Sequence, residues 1–368
     1  MQKLLWFCFT AFLFFPAITQ AQNSPVIERL YAAVVGPSPI TISTTKLALG
    51  SRTLDPSQPN LVKTLREYID RKLTFPGGLY VTPLDSIRWQ NASWPNLTLR
   101  TFTMSMAAGQ PKLLLGADNG VLRPFANPTG WQLVTDWQIS QIMALERDPF
   151  DNQALYVCTA NGIFISRDGG ATWNPSNEGL GNLFVSCLFA DPKTKNRLLA
   201  GTENGLYHSL NGGRSWQFLA LAGFPVRTIL REPESWPGIF WVGTEGHGLH
   251  ESIDGGQTFA PVQLGEAGVS IYALAGGGSN RPIYAGAYQR GIFFASSVGQ
   301  NWRQMPGSER LGTVLAVLPV QDIKTLYVGT YDRGVMLSRN GGQTWQAFGL
   351  VGAHVRQLVI GEPAWINP

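Results

Sequence analysis

The sequence predicts an all-β fold, a seven-bladed β-propeller of four-stranded antiparallel blades, and three observations predict it. First, one glycine-hinged stretch recurs at a constant step of 43 residues: SRDGGATW (Ser166 to Trp173), SLNGGRSW (Ser209 to Trp216), SIDGGQTF (Ser252 to Phe259), ASSVGQNW (Ala295 to Trp302) and SRNGGQTW (Ser338 to Trp345). A fixed period of this size marks a stacked repeat. Second, a looser tag, a Gly with an aromatic residue eleven positions later, occurs seven times, from Gly78 and Trp89 to Gly334 and Trp345. Third, each repeat parses into four short strands.

The unit from Leu183 to Trp216 shows the parsing. A first apolar run, Phe184 to Ala190, stops at Asp191-Pro192, where proline cannot continue a ladder. RLLAGT follows and ends at Glu203-Asn204-Gly205, a turn signal. GLYHS leads into Asn211-Gly212-Gly213, and the fourth strand starts at Ser215-Trp216.

The recurring turn is expected to be structural. Its members are Ser166, Asp168, Gly169, Thr172 and Trp173; Ser209, Asn211, Gly212 and Trp216; Ser252, Asp254, Gly255 and Phe259; and Ser338, Asn340, Gly341 and Trp345. The Asp or Asn should accept from N–H groups one or two residues on, while the glycines supply positive φ. The Ser166 and Thr172 hydroxyls are expected to bond across the hairpin, and the aromatic to wedge between layers.

At the ends, HVRQLVIGEP after Trp345 reads as a first strand with no blade behind it, so it should complete a blade begun near the N-terminus and leave no open edge. The Gly78 blade is its expected partner. Eight blades stay open as an alternative, because RLYAAVVGPSPITIS (Arg29 to Ser43) reads as a second and third strand. The segment NLVKTLREYIDRKL, with apolar residues three to four apart, favours an amphipathic helix and hence seven blades with an N-terminal extension. The expected organisation is a signal peptide over 1–21, an extension over 22–70 that could share in the closing blade, and the propeller over 71–368.

The signal rests on Lys3, the apolar run from Leu4 to Phe15, Pro16 and the small residues Thr19 and Ala21. The formal net charge of +4 includes Lys3 and no basic run, which gives no reason to expect nucleic acid. Cys158 and Cys187 lie in neighbouring repeats; a disulfide and two buried thiols both fit an exported chain. No HExxH, Cys-x-x-Cys or Gly-x-Ser-x-Gly pattern occurs, so neither metal nor cofactor is expected.

The Asp-Gly-Gly stretches, with LYVCTANGIF, LLAGTENGLY and LYVGTYDRGV upstream, resemble BNR/Asp-box repeats from about Gly78 to the end. That resemblance implies a β-propeller and leaves activity open, since such propellers include sialidases, xyloglucanases, sortilin-type receptors and photosystem II assembly factors. The Arg-Ile-Pro motif of sialidases is absent, and xyloglucanases usually join two propellers where this chain has one. The chain looks most like the assembly-factor group, which implies an exported, non-catalytic scaffold for a protein partner, such as a membrane-protein subunit of an envelope or photosynthetic complex. The alternative is a carbohydrate-active propeller, either a glycoside hydrolase or a lectin, with Trp94, Trp137, Tyr288 and Tyr331 as stacking platforms.

By analogy with such propellers, the binding face is expected opposite the Asp-box turns, on the turns between second and third strands and the links between blades. Those segments carry Glu203, Glu245, His247, Tyr288, Arg290, Tyr331, Asp332 and Arg333, with Trp94 and Trp137 on the links. Tyr and Arg recur on one arc and acids gather on another, a polarity that suits an oriented partner. Carboxylates on adjacent turns could stand at the 5 to 10 Å separation that glycoside hydrolysis needs, roughly as in known hydrolases. Turns of three or four residues offer little wall to exclude water, which argues against catalysis.

Overall fold

The computed structural model describes residues 28–35, 47–49, 52–54, 76–94, 97–107, 110–125, 130–278, 281–322 and 324–361. It is a seven-bladed propeller of four-stranded antiparallel sheets. Among the described residues the only helical element is a 3-10 turn at Ser308–Leu311. The expected signal peptide and the amphipathic segment 60–73 lie outside the described residues.

Blades 2 to 7 each follow chain order from the innermost strand outward. Their inner strands are Leu99–Ala107, Ala144–Arg147, Val185–Ala190, Val226–Arg231, Ile271–Gly276 and Val314–Pro319. Blade 1 is built from both ends of the chain. Its inner strand His354–Gly361 pairs with Arg29–Val35, which pairs with Gly78–Pro83, which carries Gln90–Asn91 on its outer edge. Arg29–Val35 is thus a second strand, separated from its third strand by the 42 residues 36–77, and it belongs to a shared blade rather than to an eighth. The intervening segment contains a small hairpin, Leu47–Leu49 with Arg52–Leu54. Closure this way removes the open edge that the terminal strand would leave.

The second strands show why the ring holds. Leu155–Thr159, Leu198–Thr202, Phe240–Thr244, Ile283–Ala287 and Leu326–Thr330 are buried at every position, because each is covered by a neighbouring blade on both faces. The seams are apolar: Tyr156, Cys158, Ile163 and Ile165 of blade 3 pack on Val185, Leu188, Leu198 and Ala200 of blade 4. The blades approach so closely that one position tolerates little volume. A Cβ at Gly201 would stand 2.5 Å from Cys187 Sγ and 2.5 Å from Val226 Cγ1 of the next blade.

That packing also decides the cysteines, which are both free thiols. Cys158 lies in the core between blades 3 and 4, whereas Cys187 packs with Val226 and Leu199 between blades 4 and 5. The sheet of blade 4 separates them, so the disulfide left open by the sequence is not made. Burial raises both thiols above their ordinary range, Cys187 to about 12.

The Asp-box turns are hairpin locks, with two differences from expectation. Asp168 Oδ1 accepts from the N–H groups of Ala171 and Thr172 at 2.9 and 2.8 Å, three and four residues on rather than one or two. The Ser166 and Thr172 hydroxyls do not bond each other: both donate to Asp168, at 2.8 and 2.5 Å. The carboxylate outcompetes a hydroxyl as acceptor because it carries charge. These bonds hold the Asp168 and Asp254 carboxyls well below the usual carboxylate range. Asn211 and Asn340 reproduce the lock with a neutral amide. The wedge aromatics then tie blade to blade: Trp173 Nε1 donates to Val134 O at 3.1 Å and Trp216 Nε1 to Ser176 O at 2.9 Å.

Candidate functional site: the mouth of the central channel

All seven inner strands line one central cavity of 150 Å³. Six of them share an irregularity near their first residues. The ladder skips Arg100, Ser186, Arg227, Tyr272, Leu315 and Arg356, leaving each as the extra residue of a β-bulge. A bulge breaks the in-out alternation and re-aims the side chain. These positions lie at the end of the channel facing the turns between second and third strands, and three are arginines.

Two of the arginines are paired. Arg100 Nε meets Asp118 Oδ1 at 2.9 Å. Arg227 holds Glu203 through two bonds at 2.7 and 3.0 Å and Glu245 at 2.6 to 2.7 Å. The carboxylates come from the turns of blades 2, 4 and 5, so the acidic arc read from the sequence is already occupied from within. Hydrogen bonds to Glu203 and Glu245 raise the Arg227 pKa against burial, which acts in the opposite direction as the largest single influence. Tyr272 hydrogen-bonds Glu245, and its phenol is raised mainly by burial.

Arg356, in blade 1, has no carboxylate partner among the described residues. Burial lowers its pKa to about 10, and Arg100 and Arg227 push in the same direction. It lines the central cavity together with Arg100 and Arg227. Deeper in the same cavity, burial raises the Glu146 carboxyl to about 8, so it holds its proton at neutral pH.

The remaining expected residues form the rim or stand apart from it. Tyr288 packs edge-on to Tyr272 with ring centroids 6.3 Å apart, and Tyr331 lies 4.5 Å from the His354 ring. His247 stacks on Phe224 at 4.0 Å. Arg290 is drawn sideways to Glu266 at 2.9 Å, while Asp332 and Arg333 are exposed in one turn. Trp137 is 85% exposed and Trp94 42%, on separate links. Sequence reasoning missed Arg100, Arg227 and Arg356. The signal was present, since L-R-T, V-R-T and V-R-Q open three inner strands, but alternation alone does not say which way a bulged residue faces.

Among the described residues no three His, Cys, Asp or Glu side chains converge as metal ligands. No helix among them is long and apolar enough to cross a membrane, which says nothing about β-barrel spans.

Comparison with known proteins places these features in context. The BNR/Asp-box repeat model matches residues 164–175. A search of curated proteins finds no match by sequence. Among solved structures, the GH74 enzyme of Niastella koreensis superposes with a TM-score of 0.54 at 18% identity, over 67% of this chain and 44% of that one. The chain therefore spans less than half the length of that enzyme. YCF48 from Cyanidioschyzon merolae superposes with a TM-score of 0.50 at 16% identity, over 72% of this chain and 89% of that one. YCF48 bound to D1 peptide gives 0.50 at 14%, over 70% and 90%. Identities this low show a shared β-propeller fold, and nothing finer.

Proposed function

We propose that the protein is a non-catalytic binding propeller, exported by its N-terminal signal, that takes a protein partner on the channel-mouth face and serves the assembly or stability of a membrane-associated complex. One observation carries the reading. Asp118, Glu203 and Glu245 at the mouth are engaged in ion pairs with Arg100 and Arg227, so they do not stand as a free acid and base pair, while aromatic side chains on the rim remain for contact. A YCF48 structure that shares the fold is bound to D1 peptide, which supports the partner class.

The test is capture of partners from the native host with the tagged chain and with an Arg290→Glu/Arg333→Glu variant. The proposal expects a reproducible membrane-complex subunit that the variant recovers poorly; equal recovery by both would remove this face from consideration. Exposed Trp94 and Trp137 favour the carbohydrate reading. An oligosaccharide array separates the two, because a protein-binding propeller gives no glycan signal.

A further inference from the structure

We propose that the Asp-box face of blades 4 and 5 is a docking surface for a lipid bilayer bearing anionic headgroups. This surface lies opposite the channel mouth, and the inference stands independently of the partner reading above.

The first argument is what the turn tips expose. The residue between the Ser and the Asp or Asn of each lock points out of its hairpin. Arg167 and Arg339 are exposed there in blades 3 and 7, whereas blades 4 and 5 place Leu210 and Ile253, 64% and 72% exposed. Trp236, on the turn between the first two strands of blade 5, is 85% exposed. Short contacts join these tips. Arg197 Nη2 of blade 4 donates to Gly255 O of blade 5 at 2.5 Å, and a Cβ at Gly255 would stand 3.4 Å from Pro237, the neighbour of Trp236. The Gly212 N–H, two residues beyond Leu210, donates to Asn196 O beside Arg197 at 2.9 Å. Single exposed apolar side chains are ordinary on a soluble surface, but a group of three on adjoining tips marks an interaction site.

The second is the state of the backbone beneath those tips. Ser252 Oγ accepts from the Gly256 N–H at 2.8 Å, Asp254 Oδ1 accepts from the Gln257 and Thr258 N–H groups at 2.9 and 3.0 Å, and the Gly255 N–H donates to Gly238 O at 3.0 Å. In blade 4 Ser209 Oγ and Asn211 Oδ1 do the same for Gly213 and Ser215. These turns can therefore leave bulk water for the headgroup layer without stranding their amide donors, which is the main cost of taking irregular backbone into lipid.

The third is charge, which selects the occupant. Lys193 and Lys195, on the first turn of blade 4, and Arg214, in its Asp-box, are exposed on the same arc. Neighbouring acids are turned inward: buried Asp191 meets Arg197 and Arg231 at 3.5 and 3.6 Å, and buried Glu232 accepts from the Gly278 N–H at 3.0 Å. Asp254 is spent on its own hairpin, and Glu234 is the acid that this arc exposes against the three cations. Lys and Arg beside an anionic leaflet strengthen binding, and Trp settles at the level of the headgroups. Separate apolar tips among cations suit a bilayer, which takes up each tip on its own. A protein interface would present a packed, continuous apolar centre instead.

The experiment uses the full chain with vesicles of equal parts phosphatidylcholine and phosphatidylglycerol, beside vesicles of phosphatidylcholine alone. Co-sedimentation is expected with the anionic vesicles and should weaken as salt is raised. Trp236→Ser should reduce it about tenfold, and Lys193→Gln with Lys195→Gln about fivefold for each cation lost. Trp236→Phe, which keeps an apolar tip, should bind nearly as wild type does but lose the share of tryptophan quenching that brominated acyl chains produce. All variants carry the same N-terminal segment, so differences among them belong to this face, and thermal melting establishes that each is folded. No sedimentation with the anionic vesicles, or binding that the Trp236 and lysine variants leave unchanged, would overturn the inference. A dimer in sedimentation equilibrium that Ile253→Ser dissociates would also overturn it, by assigning the patch to a second copy of the chain. Partner capture with the Arg290→Glu/Arg333→Glu variant reads the channel mouth separately, so either proposal can fall alone.

Discussion

Arg227 and Arg356 occupy the same bulge of the same strand in two blades, and the fold treats them oppositely. Around Arg227, the turns of blades 4 and 5 each deliver a glutamate. At Arg356, the preceding blade offers Tyr331-Asp332-Arg333, and the turn of its own blade is replaced by the long insertion between Val35 and Gly78. Repetition therefore built a ring of equivalent positions, and divergence in the turns decided which were closed from within. Arg227 is a clamp between blades; Arg356 meets no carboxylate among the described residues.

The comparison can be broken most severely at the clamp. Arg227→Ala leaves Glu203 and Glu245 facing each other without a cation, and unfolding in urea should show a loss of about 2 kcal/mol, below the range for fully buried pairs because both glutamates reach solvent. Arg356→Ala, which deserts no carboxylate among the described residues, should be neutral or slightly stabilising in the same assay. If both variants lose the same stability, the two sites are alike and the distinction falls.

Glu146 offers a gentler change, read through pH. Its folded-state pKa of about 8 lies above its ordinary value of 4.5, so the folded protein keeps a proton that the unfolded chain releases, and stability falls as pH rises from about 4.5 to 8. Glu146→Gln should therefore melt higher than wild type at pH 8.5, with the gain vanishing near pH 4.5. A gain independent of pH would mean that the carboxyl is ionised in the native channel.

The smallest expected effect lies at the opposite face. Asp168→Asn preserves the hairpin geometry, as Asn211 and Asn340 do naturally, so melting at neutral pH should change little. Because the Asp168 carboxyl is depressed below its usual range, wild type should lose its small advantage as pH falls below about 4. A large loss at neutral pH would show that charge, rather than the hydrogen-bond pattern, locks the turn.

Much of the fold was legible because it is local and repeated. The glycines that begin each third strand carry positive φ, and a Cβ at Gly334 would stand 2.0 Å from Leu350 O, so the spacing from Gly to aromatic records a real steric need. The candidate site was legible only in part. The turns that carry Glu203 and Glu245 lie at the channel mouth, yet both acids looked available until Arg227, in the strands between them, was seen to hold both. For Cys158 and Cys187 the sequence left a disulfide and two buried thiols both open, and one sheet keeps them apart.

By itself the sequence determined the blade, since apolar runs, Asp-Gly-Gly hinges and aromatic wedges act over a few residues and need no distant partner. Tertiary structure alone decided that Arg29–Val35 and His354–Gly361 share a blade, and which arginines of the channel are paired. Those outcomes depend on closing the ring, which brings together residues hundreds of positions apart and sets each charge among neighbours no local pattern can name.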